Sequence, residues 1–569
     1  MSCGVQKLNK KLEKAFAGNV RAELKDKVLY LTGELCEWND IVRAGLISAD
    51  RKKYTVVNNI NWSGGKIPSM RLPSVTDSLL EGEQPDVLVI GGGITGCAIA
   101  RELTKYKLNV ILAEKEHDVA LHASARNDGM VHPGADLFKG QLKKKYNDAG
   151  NRMYPDVCRE LDVPFRYTGQ YLCFTNGWMK PFVFLSLAYW KFMGVPSKYI
   201  TRKKLDSIEP HLNKKIKCAL FFPASGVVCP YGLTIAYAEN AADNGAKICL
   251  DTAVTGMEVK NGKIECVITN RGRLYPKLVV NASGVFAEDI ARFAQDRFFS
   301  IHPRRGTNII LDKKSAFRVR TIASLLEIKD RKSSRKEHSK GGGIIHTVDD
   351  NLLVGPNAVE TCEKENFSTD RESVKAVMAK QKKTSPFLSE RDIITYFTGI
   401  RAATYEEDFI VSFGRSTENI IHAAGIQSPG VTAAPAIAVE ISKMAAEKLG
   451  AGLNEEFNPE RKSIIRAAFL SDEKRDALIK KEPDYGVIIC RCEEISRGEV
   501  IAALRRNVPC DTLDGVKRRV RPGMGRCQGS FCGPQIAQII AEEKKIPVTD
   551  VRKMSCDSKI LLGSIKEII

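Results

Sequence analysis

Residues 86–103 run Asp-Val-Leu-Val-Ile-Gly-Gly-Gly-Ile-Thr-Gly-Cys-Ala-Ile-Ala-Arg-Glu-Leu: an apolar strand, a glycine turn and an amphipathic helix. That order restricts the main body of the chain to an α/β fold in which a strand feeds a helix across a phosphate-binding turn. Gly91 permits the tight turn, Gly93 lets the backbone approach a pyrophosphate, and Gly96 lets helix and strand pack closely. A second strand, Asn109-Val-Ile-Leu-Ala, ends at Glu114, whose carboxylate stands at the usual distance to accept ribose hydroxyls. Three glycines alone are a weak signal. Strand, helix and acidic residue in the right order make this segment a dinucleotide site.

At 569 residues the chain exceeds one core and predicts roughly three or four domains. No run approaches the about 18 apolar residues of a membrane helix, and the basic N-terminus MSCGVQKLNKKLEK lacks the apolar core of a secretory signal. The expected location is therefore cytoplasmic, where 16 cysteines favour metal or cluster ligation over disulfides. A net charge of +19 favours anionic partners: a phosphorylated or carboxylate substrate, an acidic protein or a membrane surface. A lysine-rich solvated surface is the alternative. Nucleic acid is not an expected partner, because the basic residues are dispersed and no recognition motif accompanies them.

Along the chain, residues 1–80 read as a small α+β unit, with a helix from Lys7 to Phe16, a hairpin turning at Lys25-Asp26-Lys27, a helix from about Asn39 and a strand at Tyr54 to Val57. This α-β-β-α-β order resembles the BON domain. A Gly-, Pro- and Ser-rich segment, 63–74, leads to the main body at 83–453. Within it, the stretch KDRKSSRKEHSK at 329–340 reads as a solvated, mobile loop. Residues 454–484 read as a helical linker, 485–545 as a cysteine domain and 546–569 as a tail.

The cysteine domain carries C-x-C…C-x₄-C at Cys490, Cys492, Cys527 and Cys532. Four thiolates suit a two-iron cluster, and the glycines around Cys527 leave backbone amides free to point at the sulfurs. Zinc is the alternative, although its cysteine pairs usually enclose two to four residues. Cys510 and Cys556 fall outside the pattern, and Cys97, Cys173 and Cys249 sit in apolar runs as small core residues.

The segment Ala123-Ser-Ala-Arg-Asn-Asp-Gly-Met-Val-His-Pro-Gly resembles the motif after the second strand of D-amino-acid-oxidase-type (DAO) flavoproteins. Further marks follow in order: Gly226-Val-Val-Cys-Pro-Tyr, Thr252-Ala-Val-Thr-Gly, Val280-Asn-Ala-Ser-Gly, Gly399-Ile-Arg and Gly425-Ile-Gln-Ser-Pro-Gly-Val-Thr. The resemblance implies an FAD-binding Rossmann-like domain interleaved with a mixed-sheet substrate domain. It places Ser124, Arg126, Asn127, Val254, Ala282, Gly284, Gly425 and Gly430 with the fingerprint residues around FAD. Ile489-Cys-Arg-Cys-Glu-Glu-Ile and Gly523-Met-Gly-Arg-Cys-Gln-Gly-Ser-Phe-Cys are similar to the BFD-type [2Fe-2S] domain.

A DAO body followed by this domain resembles the large subunits of anaerobic glycerol-3-phosphate dehydrogenases, and also opine and hydroxyproline dehydrogenases. The resemblance implies oxidation of a small anionic secondary alcohol, foremost sn-glycerol 3-phosphate, with export of electrons through the cluster to a flavoprotein or iron–sulfur partner. The Gly425-Ile-Gln-Ser-Pro-Gly form is closer to 2-hydroxyglutarate dehydrogenases, which keeps a 2-hydroxy acid or an amino-acid-like substrate open. A rival of another class is a non-catalytic redox sensor.

Family position puts His132 near the flavin, either as base or as a residue that fixes the loop. Arg401 matches an active-site arginine whose fork suits a carboxylate or phosphate, or else a structural ion pair. Arg304 and Arg305 read as surface or flavin-domain contacts, and His346 as a strand-end histidine without a ligand role. The run Lys517-Arg-Arg-Val-Arg reads either as a positive face that docks an acidic electron carrier or as a solvated charge run.

Overall fold

Apolar four-residue runs separated by glycine turns fold here as the centre of a parallel sheet. The computed structural model describes residues 3–177, 180–326, 342–555, 557–563 and 565. The basic loop at 329–340 and Cys556 lie outside the described residues.

The chain opens with α1 (Cys3–Phe16), β1 (Val20–Lys25), β2 (Val28–Leu35), α2 (Trp38–Ser48) and β3 (Thr55–Trp62). β1 and β2 are antiparallel, with Lys25 opposite Val28, and β3 adds in parallel to β2. Asp26 and Lys27 both have positive φ, 48° and 60°, which gives the two-residue turn the twist a hairpin needs. Leu12, Leu29, Leu31, Ile41 and Val56 close a small core into which Tyr405 of the main body also inserts.

This insertion fixes the unit against the rest of the molecule. Asn58 Nδ2 donates to Tyr405 Oη at 2.9 Å, the Val56 amide donates to Glu406, and Gly45 lies directly over the Tyr405 ring. A Cβ at position 45 would stand 2.2 Å from that ring. Gly45→Ala is therefore expected to lower stability by about 1–3 kcal/mol through overpacking. Chemical denaturation checks this, and an unchanged midpoint would show that the ring is free to move.

In the main body, β4 (Val87–Ile90), α3 (Ile94–Leu103) and β5 (Val110–Ala113) form the first βαβ element, with both strands buried along their length. Lys247–Cys249, β5, β4, Leu278–Asn281 and Ile420–Ala424 lie side by side in parallel, and Ile410–Phe413 closes the sheet antiparallel. Burial on both faces explains the continuous apolar runs. α3 packs with the helices Pro230–Asp243 and Gly430–Leu449 in one core, and a three-stranded antiparallel sheet over 254–274 packs into the other.

A nine-stranded mixed sheet forms the second part of the main body, built around the long antiparallel pair Ile301–Leu311 and Ile393–Thr404. Two further helices flank the cavity: α4 (Leu142–Glu160) packs on the helix Gly430–Leu449 in the core of the parallel sheet, and α5 (Lys180–Phe192) lies against the edge strand Lys198–Thr201 of the mixed sheet.

The segment expected as a helical linker is helical only in part. Residues 451–466 run without helix across the main body: Asn454 is bonded to Lys105 and Thr104, Asn458 to Asn244, and Arg461 to Glu239. The helix Asp472–Lys481 follows. Local propensity yields here to side-chain anchors on the main body.

The last unit holds helices Arg497–Leu504, Leu513–Val520 and Gly533–Lys544, the first closed by a capping box of Ser496 and Glu499. It sits on the main body through charge. Arg518 and Arg519 pair with Asp118, Arg521 with Asp349, Arg506 with Glu239, Arg526 with Asp312, and Glu493 with Lys313 of the main body. The run expected to offer a positive docking face is thus turned inward at Arg518, Arg519 and Arg521, because carboxylates distant in sequence neutralise it. Among the described residues no helix is long and apolar enough to cross a membrane.

Candidate active site

The glycine turn works by close approach. Gly91 has φ +111°, and a Cβ there would lie 2.6 Å from the Ala282 carbonyl. Gly96 packs on the Gly91 carbonyl so tightly that a Cβ would stand 1.9 Å from it. Gly93 precedes α3 without a side-chain cap, which leaves the helix N-terminus open to an anion. Ser124 Oγ accepts the Ile94 amide at 2.8 Å and ties the 123–129 segment to this helix start.

Glu114 follows β5 and takes the amides of Gly92 and Glu116 on its carboxylate. Burial raises its pKa above the ordinary carboxylate value. Gly91, Gly93, Glu114, Ser124, Arg126, Asn127, Val254, Ala282, Gly284 and Gly430 all line one cavity of about 970 Å³, together with His132 and Arg401. Gly96 and Gly425 do not line it. Gly96 sets helix–strand contact, and Gly425, at φ +64°, turns the chain beside Thr404. Room for an extended dinucleotide, an open helix N-terminus and a half-buried acid after β5 together fit FAD.

Asn127 Oδ1 accepts the Gly129 amide and its Nδ2 donates back to Ala123 and Ser124, so it shapes the loop. Arg126 Nε donates to the Leu121 carbonyl, and its guanidinium lies 4.2 Å from the centroid of Phe367. Burial brings its pKa down to about 10. Gly399 lets the strand carrying Arg401 pass against this loop, since a Cβ there would sit 2.2 Å from the Arg126 carbonyl.

The cavity also holds two arginines on neighbouring strands, Arg304 opposite Arg401 in the register. Arg304 is buried and neutralised twice, by Glu360 and Glu407 at 2.7 Å each. Of the two expectations, a surface or a flavin-domain contact, the surface one is corrected: Arg304 is buried and lines the cavity. Arg305, the next residue, bonds the Ser368 carbonyl. Burial works against the Glu407 charge, yet Arg304 and Lys143 hold its carboxyl down at about 2, and Gln427 Nε2 donates to it at 2.8 Å.

Among the described residues Arg401 has no ion-pair partner. Burial pushes its pKa below the ordinary guanidinium value, Asp128 opposes that shift, and Arg304 adds to it. His132 lines the same cavity, its amide bonded to Thr432 Oγ1 at 2.9 Å and its carbonyl to Asn151 Nδ2 at 3.0 Å. His346 turns away, towards the Val319 carbonyl and Asp350. Glu407 and Gln427 were not singled out from the sequence. The available signal was three consecutive acids, Glu406 to Asp408, directly after the apolar strand that carries Arg401.

The four cysteines converge in the last unit as two pairs. Cys492 and Cys527 sulfurs are 3.8 Å apart, and Cys490 and Cys532 share a hydrogen bond. The amides of Gly529, Ser530 and Phe531 point at the Cys527 sulfur. A tetrahedral zinc with bonds of about 2.3 Å needs all four sulfurs mutually within about 3.8 Å. Among the described residues no trio of these sulfurs meets within 4.8 Å. Two pairs fit two irons.

Residues 86–444 match the FAD dependent oxidoreductase (DAO) family, and residues 488–542 the BFD-like [2Fe-2S] binding domain. A glycerol 3-phosphate dehydrogenase of Caloramator mitchellensis is 39% identical over 488 residues, covering 84% of this chain and 99% of that protein. A subunit of the anaerobic glycerol-3-phosphate dehydrogenase of Escherichia coli K12 is 24% identical, over 81% of this chain and 88% of its own. Dithionite-reduced L-alpha-glycerophosphate oxidase from Mycoplasma pneumoniae, with FAD bound, superposes with a TM-score of 0.61 at 25% identity, covering 67% of this chain and 98% of that one. Fold, cavity and matches agree, and the chain belongs to the DAO family of FAD-dependent oxidoreductases, with a BFD-type [2Fe-2S] domain behind its flavin body.

Proposed function

We propose that the protein oxidises the secondary alcohol of sn-glycerol 3-phosphate to the ketone of dihydroxyacetone phosphate and passes the electrons to a separate acceptor protein. The observation that carries this reading is the contrast between neighbouring arginines: Arg304 is neutralised by two carboxylates, and Arg401 faces the cavity without one among the described residues. A buried cation left unpaired in the free protein is a site for a ligand anion. The naming of the 39% identical relative as a glycerol 3-phosphate dehydrogenase supports phosphate as that anion.

Bound FAD supplies the hydride acceptor, and the two-iron cluster supplies a one-electron relay. Arg401 holds the anionic end of the substrate and so fixes which carbon lies over the flavin. His132 takes the hydroxyl proton on its ring. Its backbone bonds to Thr432 and Asn151 set where that ring can reach. Leu172, Phe174, Trp190 and Ile345 give the cavity an apolar wall that keeps water from the reacting carbon. The exposed thiol of Cys492, with Phe531 82% exposed nearby in sequence to Cys527, supports an outward path for electrons. The naming of the Escherichia coli relative as one subunit of its enzyme supports a separate acceptor.

The test is anaerobic addition of glycerol 3-phosphate or L-2-hydroxyglutarate to the holoenzyme while the flavin absorbance is followed. Bleaching by the phosphate is expected. Bleaching by the hydroxy acid alone would transfer the assignment to the reading that Gly425-Ile-Gln-Ser-Pro-Gly supports, and a flavin that only dithionite reduces would favour the redox sensor.

A further inference from the structure

Helix α5 wears its apolar side outward. Pro181, Phe184, Leu185, Ala188, Tyr189 and Phe192 are all exposed, at spacings of three, four and seven residues that place them on one stripe. Leu185 is 68% exposed and Phe192 77%. Single exposed apolar side chains are ordinary, but a continuous stripe along a helix marks a surface that something covers. Phe138, also exposed, and Lys139 lie next to it, the Lys139 ammonium 5.8 Å from the Phe192 ring.

The inner face of the same helix is committed to the cavity. Val183, Ser186 and Trp190 line it, and Trp190 Nε1 donates to the Ala135 carbonyl at 2.8 Å. The outward stripe is therefore not a misplaced core face. Its helix is already anchored on the other side.

Charge identifies what covers the stripe. Residues 163–205 contain no Asp or Glu and seven Lys or Arg. Arg166 and Arg202 are occupied by Asp350 and Asp206. Lys191, Lys198 and Lys203 are exposed and, among the described residues, make no ion pair. Lys198 neighbours Tyr199, whose ring stacks on Phe184 at 4.9 Å. An apolar helical stripe edged by lysines with long apolar stems suits the boundary between acyl chains and anionic headgroups. Lysine is, by contrast, depleted from the cores of protein interfaces.

We propose that α5 seats the protein on an anionic lipid surface, with Phe184, Leu185, Tyr189 and Phe192 in the headgroup–acyl boundary and the flanking lysines on the headgroups. The catalytic cavity then lies directly behind the seated helix, so the wall formed by Val183, Ser186 and Trp190 is braced from outside.

The test is flotation of the full-length holoenzyme with vesicles of phosphatidylglycerol and phosphatidylcholine in equal parts, and with phosphatidylcholine alone. Wild type is expected on the anionic vesicles, with partition that falls as salt is raised. The variant Phe184→Glu/Leu185→Glu is expected to lose at least about 10-fold in partition while keeping its flavin spectrum, since both positions point away from the cavity. Lys191→Glu/Lys198→Glu keeps the stripe and is expected to lose binding to the anionic vesicles too. Equal partition of wild type and both variants overturns the proposal, as does wild type that ignores anionic vesicles. A wild-type dimer that the stripe variant splits, with no vesicle binding, also overturns it and assigns the stripe to a second copy. Vesicle partition does not depend on which substrate reduces the flavin.

Discussion

Arg401→Met is expected to lower kcat/KM for the anionic alcohol by about 10²–10³-fold and to leave FAD bound. Loss of a desolvated, charge-assisted contact costs about 3–4 kcal/mol, which is that factor in rate at low substrate. Most of the effect belongs in KM if Arg401 holds ground state and transition state equally, and in kcat if it holds the reacting carbon in place. Arg401→Lys keeps a charge but loses the planar fork, and is expected to fall between wild type and Met. Stability should move the other way. The wild-type guanidinium faces the cavity without an ion-pair partner among the described residues, and burial already lowers its pKa, so Met removes an electrostatic cost from the free protein. Steady-state kinetics with thermal unfolding of the same preparation checks both signs. An unchanged kcat/KM would remove Arg401 from the substrate site, and a large drop in melting temperature would make it a structural residue.

The features legible in the sequence were those whose physical cause is local. Gly91 as the tight turn and Gly96 as the helix–strand contact could be read because turn, strand and helix lie within one short segment, and the clearances a Cβ would have to the Ala282 and Gly91 carbonyls give the physical reason. The Asp26-Lys27 turn is equally local. The cysteine spacing suggested two irons, and the separation into two sulfur pairs supplies the geometry behind that reading. What stayed hidden depends on the face a residue takes or on a distant partner. Arg304 and Arg305 are adjacent on a strand, so one must face the cavity and the other away, and no local signal says which. The Arg518-Arg519 pair looked like a surface charge run because its carboxylate, Asp118, precedes it by 400 residues. Leu46 and Met70 reach the cavity wall from outside the family match, which nothing in their own segments announces.

Asp118→Asn is expected to undo the seating of the cluster unit. Asp118 and Arg519 are each about 1% exposed and meet as a fork, Nη1 to Oδ2 at 2.8 Å and Nη2 to Oδ1 at 3.0 Å, with Arg518 on the same carboxylate. Removing one charge of such a pair leaves the other buried without compensation and costs about 3–5 kcal/mol. The double variant Asp118→Asn/Arg519→Met should recover much of the loss, because it removes the stranded cation. The pH sign follows from the same group. Burial raises the Asp118 pKa, but Arg519 and Arg518 outweigh it and hold the folded value below the ordinary one. Its contribution is therefore complete above the unfolded pKa of about 3.9 and is lost as pH falls through the depressed folded value, so acid should release the unit while neutral pH holds it. Urea unfolding of wild type, single and double variants measures the cycle, and a single variant with the wild-type midpoint would sink the argument. On the proposed route of electrons through the cluster, function should track the loosened contact selectively: anaerobic reduction of the flavin by substrate is expected to persist, and turnover with a one-electron acceptor is expected to fall.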